Sequence, residues 1–233
     1  MSNPQVKEYY VKTAANVERA YDEPERQDDL AQMRAQVQQV LRGHVVLELA
    51  SGSGYWTAAI AESADSVLAT DVNQQMIALA QQRGLPDKVS FRVADGQDLP
   101  ADIGDFTAVF IGFWWSHMKR DEQDRFVAQL RARVGKDVLL VILDDDYVEG
   151  SSETVARTDL EGNTYQILTA PDGQRYELPK GYPSDSALRK RLAPAVREIR
   201  IARTAFYWLL TCRLKKGVGC APVRTRRVHR GQM

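Results

Sequence analysis

The sequence predicts an α/β protein built on a doubly wound, mainly parallel sheet. Three observations predict it. Short apolar runs alternate with amphipathic helical segments between residues 26 and 143, the 233 residues fit one ordinary domain with modest additions, and the composition mixes apolar with charged residues. Because strands that alternate with helices are joined by right-handed crossovers, we expect parallel strands with helices on both faces.

The first elements are read from hydrophobic periodicity. Apolar residues recur at helical spacing from about residue 26 to residue 41, and Gly43 ends this helix. The run HVVLELA then predicts a strand buried on both faces, and SGSG interrupts the pattern before a helix over about residues 55–62. The pattern then continues as strand (SVLATD), helix (NQQMIALAQQR), strand (VSFRVAD), strand (FTAVFIGF), helix (RDEQDRFVAQLRARV) and strand (DVLLVIL).

The C-terminal third has a different pattern. The β-prone segments NTYQILT and QRYELPK flank Pro171, Asp172 and Gly173, a turn signal that predicts a β-hairpin. A short helix, SDSALRKRLA, follows, and then the strand candidates VREIRIA and AFYWLLTCRL, which are close enough to pair antiparallel. We therefore expect the main sheet to end in an antiparallel edge.

Charge is unevenly distributed along the chain. Net charge is zero, but residues 215–233 hold six basic residues and no acid, which leaves residues 1–214 with 25 basic and 31 acidic residues. The basic segment has almost no large apolar side chain to anchor it, so we predict a disordered tail after a single domain over residues 1–214. An acidic body disfavours a nucleic-acid partner.

Several other classes of protein are disfavoured. Two cysteines, Cys212 and Cys220, are too few for a disulfide framework, and neither has the spacing to histidines that suggests zinc, so no metal is expected. No run approaches the roughly 20 apolar residues of a membrane span, and the N-terminus has no secretory pattern. We expect a cytoplasmic protein with no membrane partner, while its oligomeric state is not predicted.

Polar and glycine residues follow three strands, at the edge where ligands of open α/β sheets bind. Gly52 and Gly54 allow close backbone approach after the first strand, and Glu48 stands just before this turn. Asp71 ends the next strand, 23 residues after Glu48, where a carboxylate can bind ribose hydroxyls. Asp95, in VADGQDLP, can read an adenine edge. Each signal alone also fits a structural turn or helix cap; together they favour a nucleoside ligand.

With these signals the chain resembles the class I S-adenosylmethionine-dependent methyltransferases of the small-molecule type, over residues 9–214. The family's motif of an acid followed by Gly-x-Gly-x-Gly is similar to residues 48–54, with Ala50 in the first glycine position. The resemblance implies a Rossmann-like fold, S-adenosylmethionine as cofactor and S-adenosylhomocysteine as product. The cofactor-binding residues that it implies are Tyr10, Glu48, Ala50, Ser51, Gly52, Ser53, Gly54, Asp71, Val72, Met76, Ala94, Asp95, Gly96, Gln97, Ile111, Gly112 and Phe113.

The resemblance also implies methyl transfer to a small molecule, on nitrogen or oxygen, by in-line displacement. In such proteins an N-terminal helical lid, here residues 1–42, and an insertion, here residues 150–194, cover the ligands. Positioning dominates this chemistry, and a protonated acceptor needs a base, for which His117 in GFWWSHMKR is the candidate. The acceptor-contact candidates, for each of which core packing is the alternative, are Tyr9, Tyr21, Trp114, Trp115, Asp144, Tyr165, Tyr176 and Tyr182.

Other functions on the same fold stay open. A nicotinamide-dependent oxidoreductase normally carries Gly-x-Gly-x-x-Gly, whereas Tyr55, Trp56 and Thr57 follow Gly54 here. A non-catalytic nucleotide-binding module would keep the same loop. The Asn/Asp-Pro-Pro-aromatic signature of base-amine methylation and a Pro-Cys nucleophile are both missing after the fourth strand, which again disfavours a nucleic-acid substrate.

Overall fold

A computed structural model describes residues 3–135 and 137–215 of the chain. Short 3₁₀ helices cover Ala14–Asn16, Arg19–Tyr21, Pro24–Arg26 and Trp115–His117. The α-helices are α1 (Pro4–Thr13), α2 (Gln27–Leu41), α3 (Tyr55–Ala61), α4 (Gln74–Gln81), α5 (Arg120–Val134) and α6 (Asp185–Leu192). The strands are β1 (Val45–Leu49), β2 (Ser66–Asp71), β3 (Val89–Val93), β4 (Ala108–Gly112), β5 (Leu139–Asp145), β6 (Arg157–Thr158), β7 (Thr164–Thr169), β8 (Arg175–Pro179), β9 (Val196–Arg203) and β10 (Tyr207–Leu214).

The main sheet has seven strands in the order β3-β2-β1-β4-β5-β10-β9. The first five lie parallel, and β10 pairs antiparallel with both β5 and β9. This confirms the predicted doubly wound fold with an antiparallel edge. The strand order reverses between β1 and β4, and at such a switch point a crevice opens beyond the carboxyl ends of the two strands.

Apolar side chains fill a layer on each face of this sheet. Along β1, Leu47 and Leu49 belong to the layer that contains Phe126 of α5, whereas Val46 belongs to the layer that contains Met33 of α2. Adjacent strand residues point to opposite faces, so a strand covered on both sides is apolar throughout. The near-continuous apolar run of β1 therefore follows from its central position.

The predicted hairpin is present as β7 and β8, which pair antiparallel and are joined by β6 into a separate three-stranded sheet. Strand β6 was not predicted, because two residues give no periodic signal. Helix α1 begins after Asn3, whose side chain accepts a hydrogen bond from Gln5 N, with Pro4 in the first helical position. Its only buried residue is Val6, which packs with Tyr176 and Leu178 of β8.

The predicted disordered tail lies outside the described residues, apart from Lys215. In the part of the chain that the structure describes, every helix falls short of the length and apolar character that crossing a bilayer requires. Lys215 N donates to Ala195 O, so the end of β10 is tied to the turn that precedes β9.

Candidate functional site

A cavity of about 240 Å³ opens at the switch point, beyond the carboxyl ends of β1 and β4. Residues of helix α1 and of the 3₁₀ segments that follow it also line this cavity. The predicted cofactor residues that line it are Tyr10, Glu48, Ala50, Ser51, Gly52, Ser53, Asp71, Val72, Met76, Ala94, Gly96, Gly112 and Phe113. The structure therefore brings together residues from four strand ends and from the N-terminal helix.

Four predicted cofactor residues lie outside the cavity wall, namely Gly54, Asp95, Gln97 and Ile111. Gly54 has φ +83°, and a Cβ there would lie 2.9 Å from the Cβ of Ala80, so this glycine serves the packing of α3 on α4. Asp95 accepts a hydrogen bond from Gln97 N at 2.9 Å and so shapes its own turn. Ile111 is completely buried in the core.

The glycine loop after β1 holds a left-handed residue that is not glycine. Ala50 has φ +55°, and Gly52, two residues later, has φ +56°. In this region the Cβ of an L-residue crowds the following carbonyl, which costs about 1–2 kcal/mol. The loop thus keeps the backbone path expected of glycine although a methyl group occupies the first position.

Replacing Ala50 by glycine is expected to stabilise the protein. The relief of the left-handed strain outweighs the extra freedom of glycine in the unfolded chain, leaving a net gain of about 0.5 kcal/mol. Urea unfolding measures the change. The matched control is Ala58→Gly inside α3, where the same substitution should lower the free energy of unfolding by roughly 1 kcal/mol. If both substitutions changed the free energy of unfolding in the same direction, the inferred strain at Ala50 would be contradicted.

Asp71 joins the glycine loop to β2. Its carboxylate accepts a hydrogen bond from Gly52 N at 3.0 Å and another from Asn73 N at 2.7 Å, and only 7% of the residue is exposed. Burial raises the pKa of this carboxyl, while the backbone hydrogen bonds oppose the shift. The group therefore stands at the cavity wall with its orientation fixed by the backbone.

Glu48 places an unsatisfied carboxyl oxygen beside the same cavity. The residue is 2% exposed, and Oε2 has no hydrogen-bond partner among the described residues. Burial raises the pKa of Glu48 to about 8, and the nearby Asp71 carboxylate acts in the same direction. A buried polar atom without a partner is costly, so this oxygen indicates that a donor on a ligand completes the site.

On the other side of the cavity, His117 lies in the wall as predicted, 6% exposed. Its Nε2 is 2.8 Å from the Tyr10 hydroxyl, and its Nδ1 is 2.9 Å from the carbonyl oxygen of Pro179. Burial, together with the Lys180 ammonium, lowers the pKa of His117 to about 3. The ring is therefore neutral near pH 7.

Two predicted aromatic contacts also reach the cavity. Tyr21 lines it and stacks on Tyr55 with ring centroids 4.2 Å apart. Trp114 lines it too, but its ring stands 2.6 Å from where a Cβ of Gly96 would lie, so Gly96 must be glycine for the two to approach. Trp114 is thus placed at the predicted adenine side, whereas it was predicted to contact the acceptor.

The remaining predicted acceptor residues do not line the cavity. Trp115 is 1% exposed and packs on Phe126 in the core. Asp144 is completely enclosed, and accepts hydrogen bonds from Ser116 N and Ser116 Oγ, both at 2.8 Å. Both therefore serve packing and internal hydrogen bonding here.

The tyrosines of the small sheet and Tyr9 are likewise engaged elsewhere. Tyr9 packs edge-on against Tyr176, whose hydroxyl donates to Glu8, so both hold α1 on β8. Tyr165 donates to Asp159 at 2.8 Å, and Tyr182 accepts from Gln166 at 2.9 Å. Their predicted contacts with an acceptor remain predictions.

Nine residues of the cavity wall were absent from the predicted site, among them Arg26, Asp145 and Tyr207. Asp145 and Tyr207 are direct partners in the β5–β10 ladder, and the Tyr207 hydroxyl has no hydrogen-bond partner among the described residues. Arg26 donates to Ser151 Oγ at 2.9 Å and lies over the Phe206 ring at 4.8 Å. Once β10 is paired with β5, the position of Tyr207 follows from the register; Arg26 carries no comparable signal.

Beside the cavity, Lys180 forms a buried ionic cluster. Its Nζ is 2.7 Å from Asp145, 2.9 Å from Ser116 Oγ and 3.5 Å from Asp144, and the residue is 6% exposed. Burial alone would lower the pKa of Lys180, but Asp145 and Asp144 outweigh it and raise the pKa. Because Lys180 directly follows β8, the cluster fixes the small sheet against the end of β5.

Comparison with known proteins identifies relatives. Residues 46–137 match the family model described as a methyltransferase domain. Over 72 residues the chain is 40% identical to demethylmenaquinone methyltransferase from Clavibacter sepedonicus, a match that covers 30% of this chain and 29% of that protein. The match thus spans less than a third of this curated relative.

Solved structures match over most of the chain. A structure of DhpI in complex with SAH gives a TM-score of 0.69 at 28% identity and covers 91% of this chain and 95% of that one. A complex of DhpI with SAM and HEP gives 0.72 at 27% identity, covering 90% and 96%. The PH0226 protein of Pyrococcus horikoshii OT3 shares the fold, with a TM-score of 0.67 at 15% identity over 89% of this chain and 99% of that one.

Proposed function

Since the chain belongs to the class I S-adenosylmethionine-dependent methyltransferases, we propose that it transfers the methyl group of S-adenosylmethionine to a small-molecule acceptor in the cavity at the switch point. The observation that carries this proposal is the convergence of the glycine loop, the Asp71 carboxylate and the unpartnered Glu48 oxygen on one cavity. The similarity to DhpI, solved with SAM and with SAH, supports the same cofactor.

The residues present fit this cofactor. Asp71 would accept hydrogen bonds from the ribose hydroxyls, and Ala94 and Gly96 would flank the adenine. A Cβ at Gly52 would meet nothing within 4 Å, so the loop leaves room for a ligand to approach the backbone. The buried Glu48 Oε2, which has no partner among the described residues, would accept a hydrogen bond from the ligand's ammonium group.

When bound, the cofactor supplies an activated methyl group, and the protein's task is mainly to position the acceptor and exclude water. The acceptor would lie on the side of the cavity formed by Tyr10, Tyr21, His117, Asp145 and Tyr207. His117, whose ring is neutral near pH 7, is the base candidate on this side of the cavity.

Two measurements test the proposal. Calorimetry is carried out with S-adenosylhomocysteine and separately with NAD⁺ and NADP⁺. We expect S-adenosylhomocysteine to bind and neither dinucleotide to bind. A mass-spectrometric screen of small metabolites incubated with protein and S-adenosylmethionine should then show an acceptor that gains one methylene. Binding of a nicotinamide dinucleotide instead would favour the oxidoreductase alternative, and cofactor binding without any turnover would favour a non-catalytic module.

The affinity for S-adenosylhomocysteine is expected to rise with pH between pH 6 and 8. Without ligand, Glu48 is mostly protonated below its raised pKa of about 8, whereas a bound ammonium favours the carboxylate. Binding therefore releases a proton, and affinity gains up to about tenfold per pH unit, levelling off above the raised pKa. Calorimetry in two buffers with different ionisation enthalpies detects the released proton.

The control for this prediction is Glu48→Gln, which removes the titrating group while keeping the shape of the side chain. It should bind with a flat pH profile and without proton release. If the variant and the unmodified protein show the same pH profile, Glu48 does not titrate on binding. The cofactor assignment would then depend on the glycine loop and Asp71.

A further inference from the structure

The Tyr10–His117 pair has a defined proton arrangement. The carbonyl oxygen of Pro179 can only accept a hydrogen bond, so His117 Nδ1, 2.9 Å away, carries the ring's proton. In the neutral ring Nε2 is then an acceptor, and the Tyr10 hydroxyl, 2.8 Å away, donates to it. The Tyr10 proton therefore points at the imidazole, and His117 has no free nitrogen for a ligand.

The charged groups around the pair keep the ring neutral. Lys180 approaches from the segment after β8, Asp145 from the end of β5, and Tyr10 from α1, while Asp144 is enclosed behind Ser116. Burial and the Lys180 ammonium lower the pKa of His117, and Asp145 opposes them only in part. His117 is thus available as a proton acceptor, but a weak one.

We propose that Tyr10 is the catalytic residue that touches the acceptor, that it receives the acceptor's proton while giving its own to His117, and that the acceptor group is a neutral hydroxyl. This inference rests on the methyl transfer proposed above. Both residues line the cavity, and the Tyr10 oxygen keeps its lone pairs for a donor inside it.

The proton balance of this step is complete. As the acceptor oxygen forms its bond to the methyl carbon, the carbon–sulfur bond breaks and its electron pair stays on sulfur. The acceptor O–H bond breaks, its proton goes to the Tyr10 oxygen, and the Tyr10 proton goes to His117 Nε2. Tyr10 ends as a neutral phenol and His117 as an imidazolium, with Nδ1–H still on Pro179 O.

Because His117 is a weak base, the relay favours one class of acceptor over another. A hydroxyl oxygen becomes strongly acidic as it gains a methyl group, so even a weakly basic imidazole can take its proton in the transition state. An amine arrives as an ammonium near pH 7 and must lose a proton before it can attack. Because burial and the Lys180 ammonium lower the pKa of His117, the relay takes this proton less readily than the proton of a hydroxyl in the transition state, which favours a hydroxyl acceptor.

The first test is nuclear magnetic resonance of protein with ¹⁵N-labelled histidine and saturating S-adenosylhomocysteine. The chain contains only three histidines, and His117→Gln assigns the signal. We expect a proton on Nδ1 and none on Nε2 from pH 5 to pH 8, and a shift of the Nε2 signal alone in Tyr10→Phe. An imidazolium at pH 7, or a proton on Nε2, would overturn the relay.

The second test compares turnover of S-adenosylmethionine with the acceptor found in the metabolite screen. Tyr10→Phe should lower kcat about 100-fold, whereas it should still bind S-adenosylhomocysteine. Tyr147→Phe, a tyrosine outside the cavity wall, should leave both unchanged. Methylation of an amine, or full turnover by Tyr10→Phe, would refute the relay while keeping the methyltransferase. Absence of S-adenosylhomocysteine binding would instead refute the proposed function.

Discussion

Replacement of Asp71 by alanine is expected to abolish measurable binding of S-adenosylhomocysteine. The ribose hydroxyls would lose a carboxylate acceptor, and each hydrogen bond to a charged group contributes about 1.5–3 kcal/mol. Two such bonds correspond to an affinity loss of roughly 100-fold or more. The substitution also frees Gly52 N and Asn73 N, so the loop loses the acceptor that fixes it. Calorimetry measures the affinity.

A matched control separates this effect from general damage. Asp65→Ala changes an exposed aspartate just before β2, at the opposite end of the same strand, and should leave binding unchanged. Circular dichroism would show that both variants stay folded. Asp71→Asn keeps one oxygen for the backbone but loses the charge, so it should fold as the unmodified protein does and still bind weakly. Normal binding by Asp71→Ala would mean that the site is misplaced.

Much of the fold was predictable because hydrophobic periodicity and runs of buried strand residues are visible in the local sequence. Apolar runs predicted each main-sheet strand, and the carboxyl ends of parallel strands meet at one edge. Glu48, Gly52 and Asp71 could therefore be placed together from the sequence alone. The sequence did not distinguish neighbouring residues at a strand end, which point to opposite sides. Asp144 is enclosed, whereas Asp145 reaches the cavity, and the register that decides this depends on pairing with β10.

Contacts between distant segments left no local signal. Tyr10 and His117 are 107 residues apart, and they meet only because α1 packs on β8, which in turn is fixed by Lys180. The aromatic residue Trp115 was a cavity candidate next to Trp114, yet successive residues of the turn face different environments. The sequence thus predicted the cavity wall around the glycine loop, whereas the contacts around Tyr10 and His117 depend on the packing of α1 and the insertion on the main sheet.

That packing leads to the second large effect, at Lys180. Lys180→Met is expected to lower the free energy of unfolding by about 3–5 kcal/mol, because it leaves the enclosed Asp144 carboxylate without its countercharge. Urea unfolding at pH 7 measures this loss. Lys190→Met, in which an exposed lysine of α6 is changed in the same way, should have little effect.

The pH dependence of that loss distinguishes electrostatics from packing. Burial already raises the pKa of Asp144, and the Lys180 ammonium opposes the shift, so removing it should raise the pKa further. A carboxyl whose pKa is higher in the folded than in the unfolded protein binds a proton on folding, and its cost therefore shrinks as pH falls. We expect Lys180→Met to be destabilised more at pH 8 than at pH 5, and Asp144→Asn combined with Lys180→Met to recover part of the stability at pH 8. A loss that is equal at both pH values and unaffected by Asp144→Asn would show that Lys180 contributes by filling space rather than by balancing charge.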